Sequence, residues 1–179
     1  MSLQEPTPDE PDRNGWGREF ETYLAARVDL DDVAHNGGDD HLVDGRTTRR
    51  LVPHYSGVAL RDEFRWPSLR EVVAPETDVA VKVCRHRIRD GGTTRRGRWI
   101  LYSDELLGDE AADAVALGVY HEDLGVLDDA VTVLPTEVVL DEVVGEWSDS
   151  PHPGYEAVSR PSWASVFDPS VVDGVVDGE

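Results

Sequence analysis

With 37 acidic against 17 basic residues in 179, the chain carries a formal charge of −20, and self-repulsion on that scale weakens a compact state in dilute buffer. A single cysteine, Cys84, excludes an intrachain disulfide and a zinc site built on cysteines alone. No apolar run approaches the roughly 20 residues of a membrane helix, and the length suits one domain with a core of its own.

In chain order, residues 1–14 hold Pro6, Pro8 and Pro11 among many charges and predict a disordered acidic arm. The arm lacks an apolar centre, so it does not read as a secretory leader. Trp16, Phe20, Tyr23, Leu24 and Val28 share one stripe and predict an amphipathic helix over about 16–28. Residues 29–48 are polar, with glycine turn signals and one short strand around His41–Asp44; His41 beside Asp40 reads as a turn. Arg49–His54 and Gly57–Arg61 predict a strand pair, and Pro67 and Ser68 could open a helix reaching Val73.

The strongest strand signal is Val79–Ile88, rich in β-branched residues. A loop over Arg89–Gly97 joins it to a second strand, Arg98–Tyr102. Ser103 is placed to cap a helix of about 104–113. Ala114–Tyr120 predicts a buried strand, and Val131–Leu134 a short one. Thr136 is placed to cap a helix with Val139, Leu140, Val143, Val144 and Trp147 on one face. The order implies an α/β domain over 15–147, a mixed central sheet flanked by helices. Residues 148–179 predict a partly ordered extension that wraps the surface, anchored by Trp163 and Phe167.

The charge is unevenly spread. Residues 46–98 hold thirteen basic residues and six acids, a local charge of +7 that leaves −27 on the rest. The densest part is Arg85, Arg87, Arg89, Arg95, Arg96 and Arg98. Such a patch suits nucleic-acid phosphates; the alternative is pairing with the chain's own surplus carboxylates. Sixteen of the seventeen basic residues are arginine, and Lys82 is the one lysine. Strand alternation places it on one face with Asp78, Ala80, Cys84 and His86. A lone buried ammonium is costly, so Lys82 either performs a task a guanidinium cannot or lays its stem along the sheet and carries its charge to the edge.

The runs DVAVKVCRHRI, GRWILYSDELL, ALGVYHED and VLPTEVV resemble the PD-(D/E)XK nuclease superfamily, and the similarity of rhythm runs from Gly15 to about Trp147. The resemblance implies a restriction-endonuclease-like fold, a DNA substrate and a Mg²⁺-dependent phosphodiesterase. Lys82 matches the motif lysine, but the acid two residues earlier is replaced by Ala80. Asp78 lies on the same face, roughly 6.6 Å from position 80 along the strand, and is the candidate displaced acid. Glu21 is the candidate carboxylate from the first helix, and Asp44, with Asp62 as alternative, completes the set; Asp44 and Asp78 would hold the metal. The acid-rich, lysine-poor composition resembles proteins of salt-accumulating haloarchaea and their viruses, which implies a salt-rich cytoplasm. The competing reading is a non-catalytic interaction or assembly protein, viral or cellular, whose arginines bind an acidic protein partner; a homodimer is left open. The six histidines show no paired spacing for zinc, and phosphate-loop and dinucleotide fingerprints are absent. Trp66 and Trp99, each beside an arginine, are candidates for base stacking.

Overall fold

The computed structural model describes residues 19, 20, 23, 33–35, 40–43, 57–65, 78–151 and 153–178. Its centre is a five-stranded mixed sheet in the order β1 (Val33–His35), β2 (Asp40–Val43), β3 (Asp78–Arg85), β7 (Ala114–His121), β8 (Gly125–Pro135). The first three strands form an antiparallel meander, β7 joins β3 in parallel, and β8 returns antiparallel. The crossover from β3 to β7 carries a two-stranded ribbon, β4 (Arg87–Asp90) and β5 (Thr93–Arg96), then β6 (Leu101–Tyr102) and a short helix, α1 (Ser103–Leu106). A sheet with a parallel β3–β7 pair needs such a connection, since a tight turn cannot join parallel neighbours. The result is a mixed α/β fold of the restriction-endonuclease-like kind.

The alternation of β3 and β7 divides the core into two layers. Val115, Leu117, Val119 and Cys84 face one side, where Trp99, Leu101, Leu106, Trp163 and Phe167 cover them. Ala114, Ala116, Val131 and Val133 face the other, against Phe20, with Tyr23, Val81 and Val83 packed around them. Gly118 is required there: a Cβ would stand 2.6 Å from the Phe20 ring. Burying a side chain such as Phe167 or Leu117 stabilises by about 1.5–3 kcal/mol. The first layer is the larger, and it holds Lys82.

Several expectations change. The strand predicted over Val79–Ile88 stops at Arg85, and β4 belongs to a separate sheet. The break lies at His86, whose N–H donates to Tyr120 O and whose carbonyl accepts from Gly97 N and Trp163 Nε1. Gly97 closes the junction, because a Cβ there would lie 1.6 Å from the Arg85 carbonyl oxygen. Gly57–Arg61 is a turn docked on β8, with Gly57 N–H donating to Val131 O and Ala59 N–H to Asp129 O; its predicted partner, Arg49–His54, lies outside the described residues. His41 and Asp40 are in β2 and not in a turn, and β1 sits within residues read as polar.

The helix expected over 104–113 is the four-residue α1, ended by Leu107 in extended conformation and Gly108 at φ 97°. Ser103 does not cap it; its hydroxyl accepts from Ala157 N. Thr136 likewise donates to Ala112 O instead of capping α2 (Thr136–Val138), which continues as a π-helical turn through Val139–Val143. Val139, Val143 and Val144 face the core as the periodicity predicts. After Trp147 the chain keeps feeding the core. β10 (Ala157–Ser159) pairs with β6 and with β9 (Ser148–Asp149), and α3 (Pro169–Val176) follows a 3-10 turn at Trp163–Ser165. The two expected anchors, Trp163 and Phe167, are both fully buried. The arm at 1–14 and the helix suggested at 67–73 lie outside the described residues.

Candidate functional site

Lys82 sits on β3 with its Cα opposite Leu117 of β7. Asp40 of β2 stands opposite Ala80, two residues before Lys82 on β3. The side chain does not run to the sheet edge. It is 10% exposed, and its Nζ lies 2.6 Å from Glu105 Oε2, in a side chain only 6% exposed. The same Nζ stands 5.5 Å from the centroid of the Tyr102 ring, which stacks on Tyr155 at 3.9 Å. The Tyr102 ring and the Glu105 carboxylate thus flank the Lys82 ammonium.

Local sequence explains the arrangement. Tyr102 ends β6 and Glu105 enters the first turn of α1, where Leu106, 2% exposed, anchors the helix in the core. That anchor turns Glu105 inward, towards the sheet face that alternation assigns to Lys82. A pair so placed must meet closely, because desolvating two charges costs several kcal/mol each unless attraction and hydrogen bonds offset it.

Of the residues singled out from sequence, Lys82 is at the centre of this site. Asp78 is in β3, paired with Leu42 of β2, and alternation puts positions 78, 80 and 82 on one face. Asp44 and Glu21 lie outside the described residues. Phe20 and Tyr23 pack with Val81 and Val83, on the sheet face opposite Lys82. Asp62 is exposed and paired with Arg65 at 3.1 Å. Sequence reasoning missed Glu105, which sits two residues after the expected cap Ser103, and Asp40, which the register alone places opposite Ala80. Among the described residues no three His, Cys, Asp or Glu side chains converge as a ready metal cluster.

The arginines form a second feature. In the β4–β5 ribbon Arg87 stands opposite Arg96 and Arg89 opposite Thr94, so these four share a face. Much of the charge is matched internally: Arg85 contacts Glu122, Arg95 lies 3.7 Å from Asp90, and Arg87 and Arg96 lie 3.5 and 3.9 Å from Asp173 of α3. Asp173 also meets His86 Nε2 at 2.8 Å, and Arg96 lies over the Trp163 ring. Arg89 and Arg98 are exposed. Trp99 is fully buried, its Nε1 donating to Gly118 O, so it offers no stacking surface; Trp66 lies outside the described residues. Burial pushes the Cys84 thiol well above its usual range and makes it a core residue, not a nucleophile. Burial, followed by the charge of Glu19, raises Tyr120.

A sequential mixed sheet with a lysine in its third strand defines a class, and the family comparison agrees with it. The model of the PD-(D/E)XK nuclease superfamily domain matches residues 7–168. The chain belongs to the PD-(D/E)XK nuclease superfamily. Comparison with curated proteins and with solved structures gives no match. Among the described residues no helix is long and apolar enough to cross a membrane.

Proposed function

We propose that this chain binds DNA through its arginine ribbon and hydrolyses a phosphodiester bond beside Lys82 with the help of Mg²⁺. The observation that carries the reading is the buried Lys82, whose Nζ lies 2.6 Å from Glu105 Oε2, in a chain of this superfamily. Burying the only lysine of an arginine-rich chain suits a compact charge placed against a phosphate oxygen, which a wider guanidinium could not deliver. Lys82 is about nine-tenths buried, and an ammonium held away from bulk water exerts a stronger field.

The candidates are carboxylates, which suit Mg²⁺ better than softer metals. In this reading Asp78 and Asp44 would hold it, with Glu21 as the further carboxylate. Bound there, Mg²⁺ would supply Lewis-acid polarisation of the phosphate and activation of water. Most ribbon ion pairs are solvent-exposed, and such pairs are worth only about 0–1 kcal/mol. Phosphates can therefore replace the carboxylates at little cost. The acid-rich composition supports a salt-rich cytoplasm as the setting.

Ala80, in place of the motif acid, favours a second reading: a binding module without catalysis, with DNA, an acidic protein or a second copy of the chain as partner. Plasmid cleavage with Mg²⁺ or Mn²⁺ in KCl separates the two. The natural protein is expected to nick or linearise DNA, and Lys82→Arg to bind without cutting. Binding without cleavage by both proteins would select the second reading. Replacing Arg89, Arg95 and Arg98 by Ser should weaken binding to all sequences alike, since phosphate contacts position but do not specify. Unchanged affinity would assign these arginines to intramolecular pairing instead.

A further inference from the structure

We propose that His86, Arg87 and Arg96 form a site for one DNA phosphate, and that the Asp173 carboxylate of α3 fills it until DNA displaces that side chain. The inference rests on the DNA-binding role of the ribbon stated above, whether or not the chain cuts, and adds the position of a phosphate and the group that competes for it. His86 Nε2 lies 2.8 Å from Asp173 Oδ1, and Arg87 Nη2 lies 3.5 Å from the same oxygen. Arg96 Nη2 lies 3.9 Å from Oδ2. One carboxylate is thus shared by an imidazole and two guanidiniums. An ionised carboxylate only accepts, so His86 Nε2 carries the proton and donates. A phosphate oxygen would accept the same bond.

Arg87 and Arg96 stand directly opposite each other in the ribbon, and like charges so placed repel. An anion between them relieves that cost. The receptor is firmly held. The His86 side chain is 6% exposed and its ring stacks on the fully buried Trp163 at 5.5 Å. Arg96 lies 5.7 Å from the centroid of the same Trp163 ring. Asp173 fills this site poorly. A charge-assisted bond spans about 2.7–2.9 Å, and both arginine contacts are longer. A phosphate spreads its oxygens over a tetrahedron and matches the guanidinium fork. Helix α3 has other anchors: Val172 is buried, Val171 and Val176 pack on the core, and Asp168 caps the first turn. Asp173 itself is 27% exposed, so its side chain can turn to solvent while the helix stays. Such an internal competitor lowers the apparent affinity by the fraction of time the site is free.

The test measures binding of the full chain to a fluorescent DNA duplex by anisotropy, across about 0.5–1 M KCl, where the fold is screened. Asp173→Asn should tighten binding about fivefold, the ratio that one good exposed ion pair represents. It should also steepen the log–log fall of affinity with KCl by about one, because no carboxylate is then set free as the phosphate enters. Asp177→Asn removes an equal charge from an exposed position one turn further on and should change neither quantity. Arg87→Gln/Arg96→Gln in the natural chain should weaken binding and lower the slope by about one, which keeps the test valid if Asp173→Asn does not fold. Affinity that is unchanged or lower in Asp173→Asn, an equal gain in Asp177→Asn, or undiminished binding in the double arginine variant would overturn the assignment and leave the DNA-binding reading standing. A natural protein that binds no duplex anywhere in that range would overturn both.

Discussion

Removing Glu105 without its partner should be among the most damaging single changes in the core. At 2.6 Å and an effective dielectric constant of 20, two unit charges attract by about 6 kcal/mol. Most of that offsets the desolvation of two groups that are at least nine-tenths buried, so the pair's net contribution is small. Breaking it is another matter. Glu105→Ala leaves an ammonium against Tyr102 with no counter-charge, and Lys82→Met leaves a carboxylate in the same position; each should cost about 3–5 kcal/mol. For a chain of this length that lowers the melting temperature by roughly 10 °C, against a total stability of about 5–15 kcal/mol. Replacing both residues, as Lys82→Met/Glu105→Leu, should restore most of the loss, giving a coupling of about 3 kcal/mol or more. Urea unfolding of the four proteins at one KCl concentration measures the cycle. Single variants that each lose under about 1 kcal/mol and add in the double would mean that the two charges are solvated, and the argument for an enclosed site would fail.

Three further outcomes are expected. Cooperative unfolding should disappear below roughly 0.5 M salt, because the net charge of −20 is then poorly screened; identical melts in dilute buffer and concentrated KCl would refute this. Gly97→Ala should prevent the ribbon from docking, since its Cβ would stand 1.6 Å from the Arg85 carbonyl oxygen and neither backbone can yield cheaply; a circular-dichroism melt matching the natural protein would show that the junction is not close-packed. Asp168 caps α3 by accepting from Ser170, whose hydroxyl and then amide hold its carboxyl below the usual range. A depressed carboxylate pKa stabilises the fold above the unfolded value and loses that contribution as pH falls through the folded one. The natural protein should therefore outlast Asp168→Asn at pH 7, with the difference shrinking below about pH 4, as followed by thermal melts.

The sequence by itself determined the class of fold and the residue at the heart of the site. Alternation in DVAVKVCR and ALGVYH marks two strands with a lysine on a buried face, and the placement of one lysine in an arginine-rich chain sets Lys82 apart. These are local properties, governed by the two-residue period of a strand. The acids were not legible in the same way. Asp78 was selected by its place on the strand face and Glu21 and Asp44 from the resemblance, whereas the carboxylate that meets Lys82 belongs to Glu105, separated from it by the ribbon and β6. Asp40 looked like a turn residue until the β2–β3 register placed it opposite Ala80. The ribbon's arginines were evident as a run, but that Asp173 of the last helix gathers His86, Arg87 and Arg96 could not be read from the run. The C-terminal residues Trp163 and Phe167 became core only because β10 pairs with β6 and carries them under the sheet. Which charges meet depends on crossovers and strand register, both set by how the layers pack, and no local pattern encodes them.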